Sequence, residues 1–135
     1  MATGGTTGRT VPLIGLARAG ERGFFDDSGF PVGQGWREVH FPGIEDPSAY
    51  ALEISGDSMQ PVYREGDVVV VSPDDNPRRG DRVVVKTRQG EVMAKRLERI
   101  TSQSITLASF NPDYKDRILD LRDVAWMSRI VWASQ

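Results

Sequence analysis

Short apolar runs alternate with turn-forming residues along most of this chain. Valine, isoleucine and leucine dominate the runs, and glycine, proline, asparagine or aspartate separates them. This spacing predicts a mostly β fold, a half-barrel or sandwich of short strands, with no helical periodicity beyond one turn at 59–64. The predicted strands are residues 49–54, 67–72, 81–87, 91–100, 104–109, 117–120 and 124–132.

The first third of the chain is less regular. Residues 1–10 are small, polar and rich in glycine and threonine, which predicts a linker or a remnant of a cut one. We therefore expect one folded domain over 11–135, beginning with the apolar run at 11–17. Residues 20–36 contain five glycines and predict a long loop, here called the glycine-rich loop, of a length that is usually functional or mobile.

Composition narrows the class of protein. A chain of 135 residues with a net charge of -2 forms one domain and lacks the basic face that DNA phosphates require. The absence of cysteine excludes disulfides, thiol nucleophiles and thiolate metal sites, and it fits a reducing cytoplasm. No apolar stretch approaches the roughly 20 residues that cross a bilayer. We expect a soluble, cytoplasmic protein, and any DNA-binding role would have to come from a part other than this domain.

Ser58 is a candidate nucleophile. It follows a glycine and an aspartate at the end of a predicted strand, where a sharp turn would expose its hydroxyl. The backbone amides of Asp57 and Ser58 could then stabilise an oxyanion. A serine in such a turn can equally hydrogen-bond to local backbone, so both interpretations stay open at this point.

Lys95 is a candidate general base. In a strand its side chain shares a face with Met93 and Leu97, so burial would lower its pKa and favour the neutral amine. A neutral lysine can activate a serine hydroxyl without a metal or cofactor. The alternative is a lysine that extends its amine from the sheet edge into water.

The bond between Ala19 and Gly20 is a candidate internal substrate. It is the only Ala-Gly bond in the chain, and it lies where an apolar run meets the glycine-rich loop. Small residues on both sides would let it enter a narrow site, and tethering would give it a high effective concentration. The alternative is an ordinary junction between a strand and a loop.

Several ordered motifs carry a resemblance to a known family. From about residue 11 to the C-terminus, the chain resembles the LexA-like autoproteolytic family, which includes LexA, phage CI-type repressors and UmuD. The motifs are Ser-Gly-Asp-Ser-Met-Gln-Pro at 55–61, Glu-Gly-Asp at 65–67, Arg-Gly-Asp at 79–81, Ala-Lys-Arg-Leu at 94–97, Asn-Pro-Asp-Tyr at 111–114 and the upstream Ala19-Gly20.

The resemblance implies a mechanism and partners. It implies that Ser58 is the nucleophile, that Lys95 is the base, and that the amides of Asp57 and Ser58 form the oxyanion hole. Ala19-Gly20 would be the self-cleavage bond, cut faster in the presence of RecA filaments. The family fold, a β-strand fold shared with signal peptidases, agrees with the prediction from the apolar pattern.

The resemblance also implies a homodimer. Residues 124–132 are apolar on both faces, and we expect Trp126, Ile130 and Trp132 to share one face at the dimer interface. Repressors of the family carry a helix-turn-helix domain ahead of the matching region, and the sequence shows none. We therefore interpret the chain as the C-terminal regulatory domain of a transcriptional repressor. The alternatives are a UmuD-like polymerase accessory protein, a dimerisation or sensing module that does not cleave, and a signal-peptidase-like enzyme.

Overall fold

A computed structural model describes residues 9–21, 23–41, 44 and 46–134. Within these residues almost all regular structure is β-strand, so the predicted fold class is confirmed. None of the described helical segments has the length and apolar character needed to cross a membrane. The elements are β1 Arg9–Gly15, α1 Leu16–Ala19, β2 Arg37–Phe41, β3 Tyr50–Glu53, β4 Val68–Ser72, β5 Arg82–Thr87, β6 Val92–Ile100, β7 Ser104–Ala108, β8 Arg117–Asp120, a 3-10 turn Leu121–Asp123, and β9 Val124–Ala133.

The described strands join in one sheet in the order β2-β1-β3-β4-β9-β5-β6-β7-β8. All neighbouring pairs are antiparallel except β1 with β3. The sheet is covered on both faces at its centre, because Val83 and Val85 belong to one core cluster while Val84 belongs to another. This explains why β4 and β5 are continuous valine runs rather than alternating ones.

Most predicted strands lie within two residues of their predicted bounds, and β8 agrees at both ends. Strand β2, which pairs antiparallel with β1, was not predicted from the sequence. Strand β1 begins at Arg9, so the end of the predicted 1–10 linker is part of the sheet. Residues 1–8 lie outside the described part of the chain.

The glycine-rich loop is anchored by aromatic side chains. Phe25 packs with ring centroids 5.1 Å from Tyr50 and 4.9 Å from Trp126, and Trp36 lies 5.8 Å from Tyr50. Phe24 stacks edge-on against Trp36 and is also buried. The loop prediction is confirmed in that the described residues of this segment form only an isolated bridge. These aromatic contacts bind the loop to the main core.

Candidate active site

Lys95 lies near the middle of β6 with its side chain among apolar residues. Strand alternation puts it on the same face as Met93 and Leu97, and all three are buried, with Lys95 only 8% exposed. Its partner across β5 is Val83, which belongs to the same core cluster as Met93 and Leu97. A charged ammonium at this position loses most of its hydration, which favours the neutral amine.

The electrostatic surroundings act in the same direction. Burial is the largest cause that lowers the pKa of Lys95, and repulsion from the Arg117 guanidinium lowers it further. The Glu91 carboxylate opposes both by attraction. Arg117 Nη1 donates a hydrogen bond of 2.8 Å to Glu91 Oε2, so the two neighbouring charges partly cancel and burial decides the direction.

Ser109 is the hydrogen-bond partner of the buried amine. Lys95 Nζ donates to Ser109 Oγ at 2.7 Å. The pairing of Arg96 with Ala108 sets the register of β6 and β7, and position 109 therefore lies opposite position 95. Ser109 was not predicted from the sequence. The β6–β7 register shifts between Leu97 and Arg99, so counting back from the observed Ile100–Ile105 pair would put residue 110 opposite Lys95.

Ser58 lies in a turn that a second segment holds in place. Gly56 has φ of 81°, a conformation that favours glycine and turns the chain ahead of Asp57. The Asn111 amide donates to the Ser58 carbonyl at 3.0 Å, and Asn111 Nδ2 donates to the Asp57 carbonyl at 3.0 Å. Tyr114 Oη donates to the Asp57 carboxylate. The Asn-Pro-Asp-Tyr motif is thus a clamp on the serine-bearing turn.

Tyr114 of the same motif also lies next to Lys95. The Tyr114 ring centroid is 5.5 Å from Lys95 Nζ, so one side chain contacts both the amine and the residue before Ser58. Among the hydrogen bonds of the described residues, however, Lys95 Nζ is paired with Ser109 Oγ and not with Ser58 Oγ. The structure therefore pairs the predicted base with Ser109 rather than with the predicted nucleophile.

Ser58 and Gly20 line one cavity. Its volume is about 380 Å³, and Met93 and Ala94 of β6 form part of its wall. Ala19 ends α1 and is fully buried, while Gly20 follows it with helical φ and ψ of -76° and -12°. The Ala19-Gly20 bond therefore lies beside the cavity that contains Ser58, within a closed helical turn.

The three residues expected at a dimer interface do not share one face. Trp126 and Ile130 are buried in the main core cluster, whereas Trp132 is 43% exposed and packs 5.0 Å from Phe41. Val70 pairs with Trp132 and Val71 with Ile130, so β9 carries one extra residue at a bulge between them. The bulge reverses the alternation and turns Trp132 to the opposite face.

A family model described as "Peptidase S24-like" matches residues 12–131. The match covers nearly the whole chain, and the chain belongs to this family. Membership supports serine peptidase chemistry in general. It does not by itself assign the residues that perform that chemistry.

Curated relatives give a consistent picture. A LexA repressor of Shewanella woodyi is 34% identical over 117 residues, covering 82% of this chain and 52% of the relative. A LexA repressor of Acidiphilium cryptum is 32% identical over 130 residues, covering 90% of this chain and 51% of the relative. Repressor protein C of Rhizobium phage 16-3 is 39% identical over 80 residues, covering 58% of this chain and 29% of the relative. The chain spans about half the length, or less, of these relatives.

Proposed function

We propose that this chain is the C-terminal regulatory and dimerisation domain of a transcriptional repressor that cuts itself between Ala19 and Gly20. Neutral Lys95 takes the proton of Ser58 Oγ as that oxygen attacks the Ala19 carbonyl carbon. The amides of Asp57 and Ser58 stabilise the oxyanion of the tetrahedral intermediate.

The intermediate then collapses. The bond between the Ala19 carbonyl carbon and the Gly20 nitrogen breaks, and the proton held by Lys95 passes to the leaving amine. Ala19 remains as an ester of Ser58. Lys95 next takes a proton from a water molecule as that water attacks the ester, and it returns this proton to Ser58 Oγ as the ester bond breaks. The new carboxyl group of Ala19 then loses its proton to solvent.

One observation carries the proposal: a lysine amine buried in an apolar cluster, on the same face of β6 as Met93, which lines the cavity that Ser58 also lines. Buried lysines are uncommon unless their amines are paired or used. Its lowered pKa raises the fraction of neutral amine at any given pH below the ordinary lysine value.

The position of the internal substrate gives further support. Gly20 lines the same cavity as Ser58, so the bond needs only a local rearrangement to meet the hydroxyl. Because the substrate is tethered, a high effective concentration can offset modest catalytic groups. The buried α1 turn must open first, since Ala19 has no exposed surface.

A signal that opens α1 would therefore control cutting. By analogy with the LexA-like family, we propose a RecA filament as that partner. Cutting would separate this domain from a DNA-binding part of the repressor and so abolish bivalent binding to its operator. A UmuD-like polymerase accessory protein remains the alternative within the same fold.

A non-cleaving dimerisation or sensing module is the second candidate. It is favoured by the hydrogen bond of Lys95 to Ser109 rather than to Ser58, and by the burial of Ala19. In this alternative the domain uses its fold and the exposed Trp132 for dimerisation or sensing, and Ser58 and Lys95 never react.

Mass spectrometry after incubation over a pH series separates the two candidates. The proposal expects a fragment that begins at Gly20 and forms faster as pH rises, and neither Ser58→Ala nor Lys95→Ala should yield it. Wild-type protein that stays intact at alkaline pH while remaining folded would leave only the non-cleaving module. Cutting by either variant would remove that residue from its assigned role.

A further inference from the structure

We propose that Ser109 is a positioning residue for the catalytic amine, a third member of the site that holds Lys95 Nζ in place for Ser58. This inference rests on the proposed self-cleavage. Its physical basis is the hydrogen bond of 2.7 Å between Lys95 Nζ and Ser109 Oγ, which joins adjacent strands inside the protein.

The amine needs such a partner because its side chain is long. Lysine has four rotatable carbon–carbon bonds and loses considerable rotamer freedom when it is fixed. Apolar neighbours restrict the carbon atoms of the lysine side chain, but they do not orient its nitrogen. A hydroxyl that accepts one N–H restricts the rotation about the last bond, and it leaves the lone pair of the neutral amine only the two remaining staggered directions.

Other groups around the amine do not offer this contact. The Tyr114 ring faces the nitrogen at 5.5 Å without accepting a directed hydrogen bond from it. Arg117 and Glu91 act on it through their charges and are hydrogen-bonded to each other. Within the described part of the chain, Ser109 is therefore the acceptor that sets the geometry of the amine.

The backbone around Ser109 also links the amine to the nucleophile. Two residues further on, the Asn111 amide donates to the Ser58 carbonyl at 3.0 Å. One short segment therefore fixes the base through a side chain and the nucleophile through the backbone. The separation between Lys95 and Ser58 is set by that segment, so a side-chain change at 109 alters the base while leaving the serine turn clamped.

The hydrogen bond to Ser109 also changes the pKa of Lys95, and the direction of this change follows from the charge of the donor. A neutral hydroxyl stabilises an ammonium donor more than an amine donor, because the bond to the charged form is stronger. Removing the hydroxyl therefore lowers the pKa of Lys95 still further. A variant that loses only the orientation of the amine should thus have more neutral lysine at a given pH and nevertheless cleave more slowly.

The first experiment measures the pKa of Lys95 directly. NMR titration of the side-chain resonances uses the Ser58→Ala background, in which the chain stays intact, and the chain has only three lysines to assign. We expect Ser109→Ala to lower the pKa of Lys95 and Ser109→Thr to restore it. The matched control is Ser104→Ala, the same substitution at the start of β7, and it should leave the pKa unchanged.

The second experiment measures self-cleavage with Ser58 intact. Ser109→Ala should lower the plateau rate about 10- to 100-fold and move the midpoint of the pH profile to lower pH, while Ser109→Thr recovers most of the rate. An unchanged pKa and rate in Ser109→Ala would overturn the inference and leave the proposed function intact. A slower rate without a shifted midpoint, shared by Ser104→Ala, would reduce Ser109 to a structural residue. Wild-type protein that never cleaves would instead sink the proposed function and this inference with it.

Discussion

Gly20 lies against the carbonyl oxygen of Gly90, so close that a β-carbon at Gly20 would be 2.9 Å from that oxygen. Gly90 closes the turn that leads into β6, and Gly20 follows α1. The contact therefore fixes the segment with the proposed cleavage bond against the strand that carries Lys95. Only a residue without a β-carbon allows this approach at the observed distance.

We expect Gly20→Ala to destabilise the protein by about 1–3 kcal/mol, because a backbone atom must move to relieve the overlap. Chemical denaturation followed by tryptophan fluorescence measures the loss. Gly15→Ala is the control, since a β-carbon there would have nothing within 4 Å. Equal stability of the two variants would show that the segment can shift away from Gly90 without cost.

The pH dependence of self-cleavage should report the charge of Lys95. Neutral amine accumulates as pH rises, so the rate rises with pH, and burial moves the midpoint below the ordinary lysine pKa of 10.5. Arg117→Gln removes a repulsion and should shift the midpoint to higher pH. Glu91→Gln removes an attraction and should shift it to lower pH.

Cleavage rates measured across the pH series for the wild type and both variants test this prediction. Opposite shifts are expected because the two charges have opposite signs. Shifts in the same direction, or a rate that is flat from neutral to alkaline pH, would contradict a lysine base surrounded by these charges.

The contact between Tyr114 and Asp57 should matter for the rate. Tyr114→Phe keeps the ring beside Lys95 but removes the hydroxyl that donates to the Asp57 carboxylate. The serine turn then loses one of its ties, and we expect self-cleavage to slow about three- to tenfold. Asn111 still holds the turn, so the effect should stay below that of Ser58→Ala.

The pH at which Tyr114 ionises gives an independent test of its contact with Asp57. The hydrogen bond to Asp57, and then the negative charge of Asp57, raise the pKa of Tyr114. The difference between spectrophotometric titrations of the wild type and Tyr114→Phe isolates Tyr114 from Tyr50, whose pKa burial also raises, and it should show ionisation at higher pH than ordinary tyrosine. Loss of that transition in Asp57→Asn would support the contact, and an ordinary titration in the wild type would contradict it.

Gly29 tests how the glycine-rich loop is anchored. It has φ of 88°, and a β-carbon there would lie 2.8 Å from the Trp126 ring. Gly29→Ala should cost about 1–2 kcal/mol from backbone strain and about 1–3 kcal/mol more from the overlap with that ring. Gly80→Ala is the matched control, because it shares the positive φ of 94° but meets nothing within 4 Å.

Thermal or chemical unfolding of the two variants separates strain from overlap. The difference between them is the contribution of the ring contact. If Gly29→Ala were no less stable than Gly80→Ala, the loop would not be packed on Trp126 as described. The cavity beside Ser58 is lined by other residues, so this test concerns the anchor alone.

Trp132 is the exposed member of the three residues predicted at the interface of the proposed homodimer. It is 43% exposed and lies beside Phe41, so Trp132→Glu should weaken self-association about tenfold or more. Analytical ultracentrifugation over a concentration series measures the dissociation constant. The comparison is Ile118→Glu, at a residue 73% exposed on the edge strand β8, and it should leave the dimer intact. The reverse result would move the interface to β8.

The sequence alone determined most of the strands and the two residues proposed for the chemistry, Ser58 and Lys95. Valine runs buried on both faces, and glycines with positive φ such as Gly66 and Gly90, are local features that hold in many tertiary arrangements. Alternation along β6 likewise puts Lys95 on the face of Met93 and Leu97, whatever the rest of the fold. These predictions depend on neighbours within a few residues.

Only the tertiary structure decided which distant residues meet. The bond from Lys95 to Ser109 depends on the register of two strands, and one extra residue in β9 moved Trp132 away from the face of Ile130. Strand β2 was missed because its first four residues are exposed or half-buried and lack an apolar run. Register and bulges arise from packing summed over the whole sheet, and a one-residue change reverses every side chain beyond it.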